Sequence, residues 1–161
     1  MKLSIRVPLT AVALLCAAGI LARDGHAQSV PRGWHTLTNV TGKCQLAVPP
    51  DWIIQTVGPH GAMTPDNRYS VRFMLTAPRA TFAQLQSITA RTWKIRPAFT
   101  VVADSATRAI YRYRPADWYD WTVIVAGMPA CAATLRSPVA NDSLAMQIAA
   151  TLSPRKPLPP R

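Results

Sequence analysis

Apolar and polar residues alternate most clearly over residues 69–76, where Tyr69, Val71, Phe73 and Leu75 interleave with Ser70, Arg72, Met74 and Thr76. A period of two is that of a strand, so this segment predicts one core face and one wetter face. Cys44, Leu46 and Val48 fall on one side of a second strand that Pro49 and Pro50 stop, and residues 53–57 predict a third, which ends at the turn formers 58–61. From Thr81 the period changes. Phe82, Leu85, Ile88 and Thr92 recur at three- and four-residue steps, predicting an amphipathic helix over 82–93 with Thr81 as its N-cap and a stop before Pro97. Residues 98–103 and 107–114, rich in β-branched and aromatic side chains, predict two strands around a turn at 104–106. Residues 120–126 read as a central strand, and 131–136 as another with Cys131, Ala133 and Leu135 on one face. The last helix starts at the cap Asn141 or Asp142 and carries Leu144, Ile148 and Leu152 in one stripe. The stretch around Trp34 reads as a loose start.

Strands arriving in hairpin-length pairs, rather than alternating with helices, predict an antiparallel sheet, and two helical stripes need its faces to cover them. The expected class is therefore α+β, an antiparallel sheet packed by two main helices in an α/β/α sandwich-like arrangement.

Both ends of the chain fall outside this pattern. Lys2 and Arg6 precede an apolar run from Val7 to Leu21 that closes on Gly25, His26 and Ala27, which is the form of a secretory signal peptide cleaved after Ala27. The run is short for a membrane span, and Leu15 in front of Cys16 does not suit a lipidation site. Residues 28–153 are then a single domain, and 154–161, with four prolines, a disordered basic tail. No transmembrane segment is expected once the signal is removed, and the destination is periplasmic or secreted. Cys44 and Cys131 remain after processing, and in an exported chain a pair predicts a disulfide, with two buried free thiols as the alternative.

The segment Cys44 to Trp52, a short strand followed by Pro-Pro-Asp-Trp, resembles the opening of Mog1/PsbP-like domains, and residues 141–153 resemble their closing helix. In outline the resemblance covers residues 35–153. It implies an antiparallel sheet between helices and the role of a binding or accessory module. It implies no catalytic residue, because no catalytic signature belongs to the whole family.

Composition narrows the chemistry. The 161-residue chain carries a formal net charge of +11, and the part after Ala27 remains strongly basic. It holds no Glu, and its carboxylates are Asp51, Asp66, Asp104, Asp117, Asp120 and Asp142, mostly at turn and cap positions. No nucleophile-turn motif, phosphate-binding glycine loop or metal-ligand spacing occurs, so no catalytic residue, cofactor or metal is expected. An exported protein rarely meets nucleic acid, and that partner is not expected either.

Residues 108–121 concentrate what chemistry remains. Alternation puts Arg108, Arg112 and Arg114 on one strand face and Tyr111 and Tyr113 on the other, followed by Asp117, Trp118 and Trp121. Paired guanidinium donors beside aromatic rings suit carboxylates or phosphates, which makes these six Arg, Asp and Trp residues the candidate ligand-binding set. The competing reading, which the residues favour, is a solvated face in which the arginines pair with Asp117 or Asp120 and cover apolar rings with their stems. Arg68 and Arg72 extend the patch if their strand is a neighbour. Three functional readings follow: a binding or accessory domain for an anionic protein, lipid or polymer of the cell envelope; a small hydrolase using Asp117, Asp120 or His60 beside Trp118; and an envelope structural protein anchored by its tail.

Overall fold

The computed structural model describes residues 29–96 and 98–155; the expected signal segment 1–27 and residues 156–161 of the expected tail lie outside the described residues. The described chain is α+β. Its strands are β1 (His35–Thr38), β2 (Cys44–Val48), β3 (Ile53–Gln55), β4 (Gly61–Met63) and β5 (Ser70–Phe73), followed after helix α1 (Phe82–Trp93) by β6 (Thr100–Asp104), β7 (Arg108–Tyr113), β8 (Tyr119–Val125) and β9 (Cys131–Ser137). Helix α2 (Ser143–Thr151) and β10 (Ser153–Pro154) complete it.

Two sheets form, a seven-stranded one in the order β3-β4-β5-β9-β8-β7-β6 and a three-stranded one in the order β1-β2-β10, and every pairing is antiparallel. The main core lies between one face of the large sheet and a layer made of the small sheet and α2. Leu46, Val48, Val71, Trp121, Val123, Leu135, Ile148 and Leu152 are buried there. A smaller core, with Ala109, Tyr111, Ile124 and Ala132, lies on the other face beneath α1.

The disulfide is formed between Cys44 at the start of β2 and Cys131 at the start of β9, with the Cα atoms 5.7 Å apart. It therefore ties one sheet to the other. A second tie runs through α2, whose buried Thr151 hydroxyl accepts from the Ala47 amide at 2.8 Å and donates to the Ile148 carbonyl at 2.7 Å.

The helices form where their caps place them. Thr81 accepts from the Gln84 amide while the Gln84 side chain accepts from the Thr81 amide, a reciprocal capping box. Asp142, not Asn141, caps α2 by accepting from the Ala145 amide at 2.9 Å.

Several local expectations change. The stripe of α1 is rotated: Ile88 and Thr92 are exposed, and Phe82, Leu85, Thr89 and Ala90 face the sheet. The strand expected over 53–57 stops at Gln55, and as an edge strand it leaves Ile53 and Ile54 exposed. The strand expected over 69–76 stops at Phe73, leaving Leu75 in solvent. Gly61, expected in a turn, starts β4; a Cβ there would run into the Val71 carbonyl oxygen, so only glycine allows the two strands to meet at this register. Residues 35–38, expected to be loose, form β1, with Leu37 paired to Leu46. Past residue 153, Pro154 pairs with Cys44, and the Arg155 amide donates to the Lys43 carbonyl at 2.8 Å.

The bridge closes a loop of 87 positions. Replacing both cysteines, Cys44→Ser with Cys131→Ser, is expected to lower unfolding stability by up to about 4 to 5 kcal/mol in the chain-entropy model. Equilibrium urea unfolding of the two forms measures this, and matching midpoints would mean that the bridge does not restrict the unfolded chain.

Candidate functional site

Side chains directly opposite one another in an antiparallel sheet share a face. The register therefore lays out two rows on the α1 side of the large sheet: Arg72, Thr134, Thr122, Tyr111, and beside it Ser70, Arg136, Asp120, Tyr113. Helix α1 lies over β7 and β8. Thr122 and Tyr111 are buried under it, while Arg72, Thr134, Ser70 and Arg136 stand clear of it. The uncovered part forms a cleft of about 380 Å³, walled by Trp93 at the end of α1 and by Asn67, Arg72, Tyr113, Asp120 and Arg136. Arg72 also borders a neighbouring hollow of about 470 Å³ with Ile54 and Gln55. Arg136 borders another of about 400 Å³ with Asn67, Arg68, Asp117 and Trp118. Three guanidiniums thus line a run of adjoining depressions on one sheet face.

Their surroundings differ. The Arg136 Nε donates to Asp120 Oδ1 at 3.3 Å, the single ion pair among the described residues, and its guanidinium lies 4.5 Å over the Trp118 ring. The Tyr113 hydroxyl donates to Asp120 Oδ2 at 3.2 Å, and burial, then the Asp120 charge, pushes its pKa above the ordinary phenol value. The Tyr113 ring meets Trp93 edge-on with centroids 4.6 Å apart, and Arg96 lies 5.8 Å above it. Arg68 and Arg72 are exposed and have no carboxylate within ion-pair distance among the described residues. The turn that presents Arg68 is shaped by Asp66, which accepts from the Thr64 hydroxyl at 2.6 Å and from the Arg68 amide at 3.1 Å. Those two bonds hold the Asp66 carboxyl below its usual range. Asp66 is thus engaged with its own turn, and Asp120 with Arg136 and Tyr113. Arg68 and Arg72 keep their donors available for an incoming anion.

The structure divides the residues singled out in 108–121. Arg108 is half-buried and donates to the carbonyls of Ala149, Ala150 and Leu152 at the end of α2, where the Ala149 carbonyl also accepts from the Leu152 amide. Burial alone pulls its guanidinium below the ordinary value. Arg112 donates to the Ala140 carbonyl and to Asn141 Oδ1, and lies 5.4 Å over the Trp121 ring. Trp121 is buried, with its indole N–H donating to Ser137 Oγ at 2.9 Å. These three hold the domain together on the α2 side. Arg114 is exposed, with its Nε on the Ala116 carbonyl and its guanidinium over Tyr119. Asp117 and Trp118 come instead to the α1-side depressions. Arg68 and Arg72 do not extend the Arg108–Arg112 row: β9 and β8 separate β5 from β7, and Arg72 faces the opposite side. The register brings Arg136 to them in its place. The alternation of 131–136, with Cys131, Ala133 and Leu135 inward, already implied that Arg136 points the other way. Trp93 and Arg96, at the end of a helix, carried no such signal.

His60 stands at the other end of the sheet from Asp117 and Asp120, with its Nδ1 2.8 Å from the Thr38 carbonyl oxygen, so the three do not form one site. Among the described residues no group of three or more His, Cys, Asp or Glu side chains is placed to hold a metal ion.

No protein-family description and no curated protein matches the chain. Among solved structures it is similar to cyanobacterial PsbP (CyanoP) from Synechocystis sp. PCC 6803, at 12% identity and a TM-score of 0.45, over 89% of this chain and 99% of that one. The likeness is one of fold outline, and nothing about activity or partner is drawn from it.

If Arg108 is a helix cap and not a ligand contact, Arg108→Met is expected to cost about 2 to 3 kcal/mol by removing its bonds to the carbonyls of Ala149, Ala150 and Leu152. Arg108→Lys should recover only part of this, since an ammonium has no fork to span them. The exposed Arg114→Ala should stay within about 0.5 kcal/mol of the parent. Urea unfolding of the three variants decides, and an Arg108→Met variant as stable as Arg114→Ala would remove the capping role.

Proposed function

We propose that the chain is an exported binding domain that grips an anionic group of a cell-envelope partner in the α1-side cleft. The observation that carries this reading is the pair of uncommitted guanidiniums, Arg68 and Arg72, beside Arg136 and the rings of Trp93, Tyr113 and Trp118. A carboxylate or phosphate would be forked by Arg72 and Arg68 while a flat or apolar portion rests on the rings. Arg136 is held upright between Asp120 and Trp118, so its position costs no ordering when the partner arrives. The floor of the cleft lies on β5, β8 and β9, which the sheet keeps rigid, while Arg68 and Trp118 reach it from the turns that flank β5 and β8.

Export is supported by the segment before Gln28 and by a disulfide that an oxidising compartment would preserve. The strong positive charge favours encounter with anionic partners in general. A hydrolytic role for Asp117, Asp120 or His60 beside Trp118 loses His60, which lies at the other end of the sheet, and keeps an Asp120 already engaged by Arg136 and Tyr113.

The test is an NMR titration of the chain from Gln28 onward with two probes, inorganic phosphate and polyglutamate. Shifts are expected at residues 67–72, 113, 118–120 and 134–136. Arg68→Ala with Arg72→Ala should weaken polyglutamate binding by about tenfold. Shifts confined to other surfaces, or equal binding by the double variant, would overturn the assignment.

A further inference from the structure

The register separates the molecule into two unlike ends. At one end lie the loops before β3, between β4 and β5, between β7 and β8, and before α2, and with them Asp51, Asp66, Asp117, Asp120 and Asp142. At the other end the connections β1–β2, β3–β4, β5–α1 and β8–β9 converge, as shown by a shared hollow bordered by Val40, Lys43, His60, Leu75 and Pro129. These four connections contain no carboxylate. The acid nearest this end is Asp104 on β6, which accepts from the Gln86 side chain at 2.6 Å.

What these loops offer instead is bare apolar surface. Met128 is 100% exposed, Val57 93%, Leu75 79% and Val40 61%, one from each connection. Four large apolar side chains so exposed and so grouped are costly in water unless something covers them. Lys43, Arg79 and Arg155 are exposed around them, and Arg155 is fastened here by its amide bond to the Lys43 carbonyl. His60 is turned inward onto Thr38. The hollow between the loops is only about 80 Å³, well below the roughly 300 Å³ of a small-molecule pocket, so the end presents projecting tips and not a cavity. Pro59, Pro78 and Pro129 stand in three of these loops, where each removes an amide N–H that would otherwise need a partner away from water.

We infer that this end docks on an anionic lipid bilayer, with Val40, Val57, Leu75 and Met128 entering the headgroup layer and Lys43, Arg79 and Arg155 meeting lipid phosphates. The fit is one of charge and shape: cations ring apolar tips, the four converging connections carry no carboxylate, and Asp104, the acid at this end, is engaged by Gln86. This docking uses none of the cleft residues and stands whether or not the cleft binds its anion.

The test is flotation of the chain from Gln28 onward with phosphatidylcholine vesicles that contain or lack phosphatidylglycerol. Binding only to the phosphatidylglycerol vesicles, weakening as salt is added, is expected. Leu75→Ser with Met128→Ser keeps every charge and should lower the bound fraction by about tenfold or more. Lys43→Gln with Arg79→Gln should lower affinity by about fivefold per charge removed. All four side chains are exposed, and circular dichroism should show the fold unchanged. Arg68→Ala with Arg72→Ala should bind vesicles as the parent does. No binding to phosphatidylglycerol vesicles would overturn the inference and leave an acidic protein as the occupant. Full binding by the Leu75/Met128 variant, or displacement by soluble glycerophosphoglycerol, would overturn it too, because either result places recognition in a headgroup site and not in the bilayer.

Discussion

A seven-stranded sheet has more surface than this chain can cover. Its outer strands lie about 29 Å apart, whereas one helix shields a band about 10 Å wide. One face receives α2 and the whole small sheet, and with them nearly all the large apolar side chains of the main core. The other face receives α1 alone, over β7 and β8. Much of that face beyond α1 meets water, and beside the edge residues Ile53 and Met63 this is where Ser70, Arg72, Thr134 and Arg136 stand. The cleft is thus a consequence of unequal cover, and Arg72 and Arg136 within it sit on paired strands of the sheet.

The same shortage of cover explains why arginines have different fates a few ångströms apart. On the α2 side Arg108 and Arg112 are drawn in by carbonyls at the two ends of α2, those of Ala149, Ala150 and Leu152 for one and of Ala140 for the other. A guanidinium can serve several carbonyls at once because its donors fan out in a plane. On the α1 side the strands present no unpaired carbonyls to Arg68 or Arg72, so the same side chain remains free to meet a ligand.

The sequence made the class, the disulfide, the helix positions and most strands legible, because period and capping are local properties. Thr81 followed by Gln84 marks the start of α1 as clearly on the page as in space. What escaped depended on partners far along the chain. β1 and β10 are strands only because β2 stands between them, and Ser153 lies 108 positions from its partner Gln45. The arginines misled for the same reason. Alternation showed that Arg108 and Arg112 share a face, but the end of α2, more than forty residues later, decides what that face is for. Arg136 and Arg72 looked unrelated until β5 paired with β9, and the sequence offers no sign of that pairing.

The two surfaces also stand in a useful relation. β8 runs from Tyr119 near the cleft to Val125 near the loop tips, a rise of about 20 Å along one strand. A domain resting on its tips would hold the Asp120–Arg136 end of the cleft that distance from the headgroups, well beyond a Debye length of about 8 Å at physiological salt, with Arg72, three residues before Leu75, standing nearer. Arg68 and Arg136 would then face the aqueous space of the envelope and not be captured by the lipid phosphates beneath. The five carboxylates at the cleft end are matched there by Arg68, Arg112, Arg114 and Arg136, so charge alone does not choose which end meets an anionic surface. The choice falls to the bare apolar tips, which gain from the headgroup layer only at the loop end and so leave the cleft end open to its own partner.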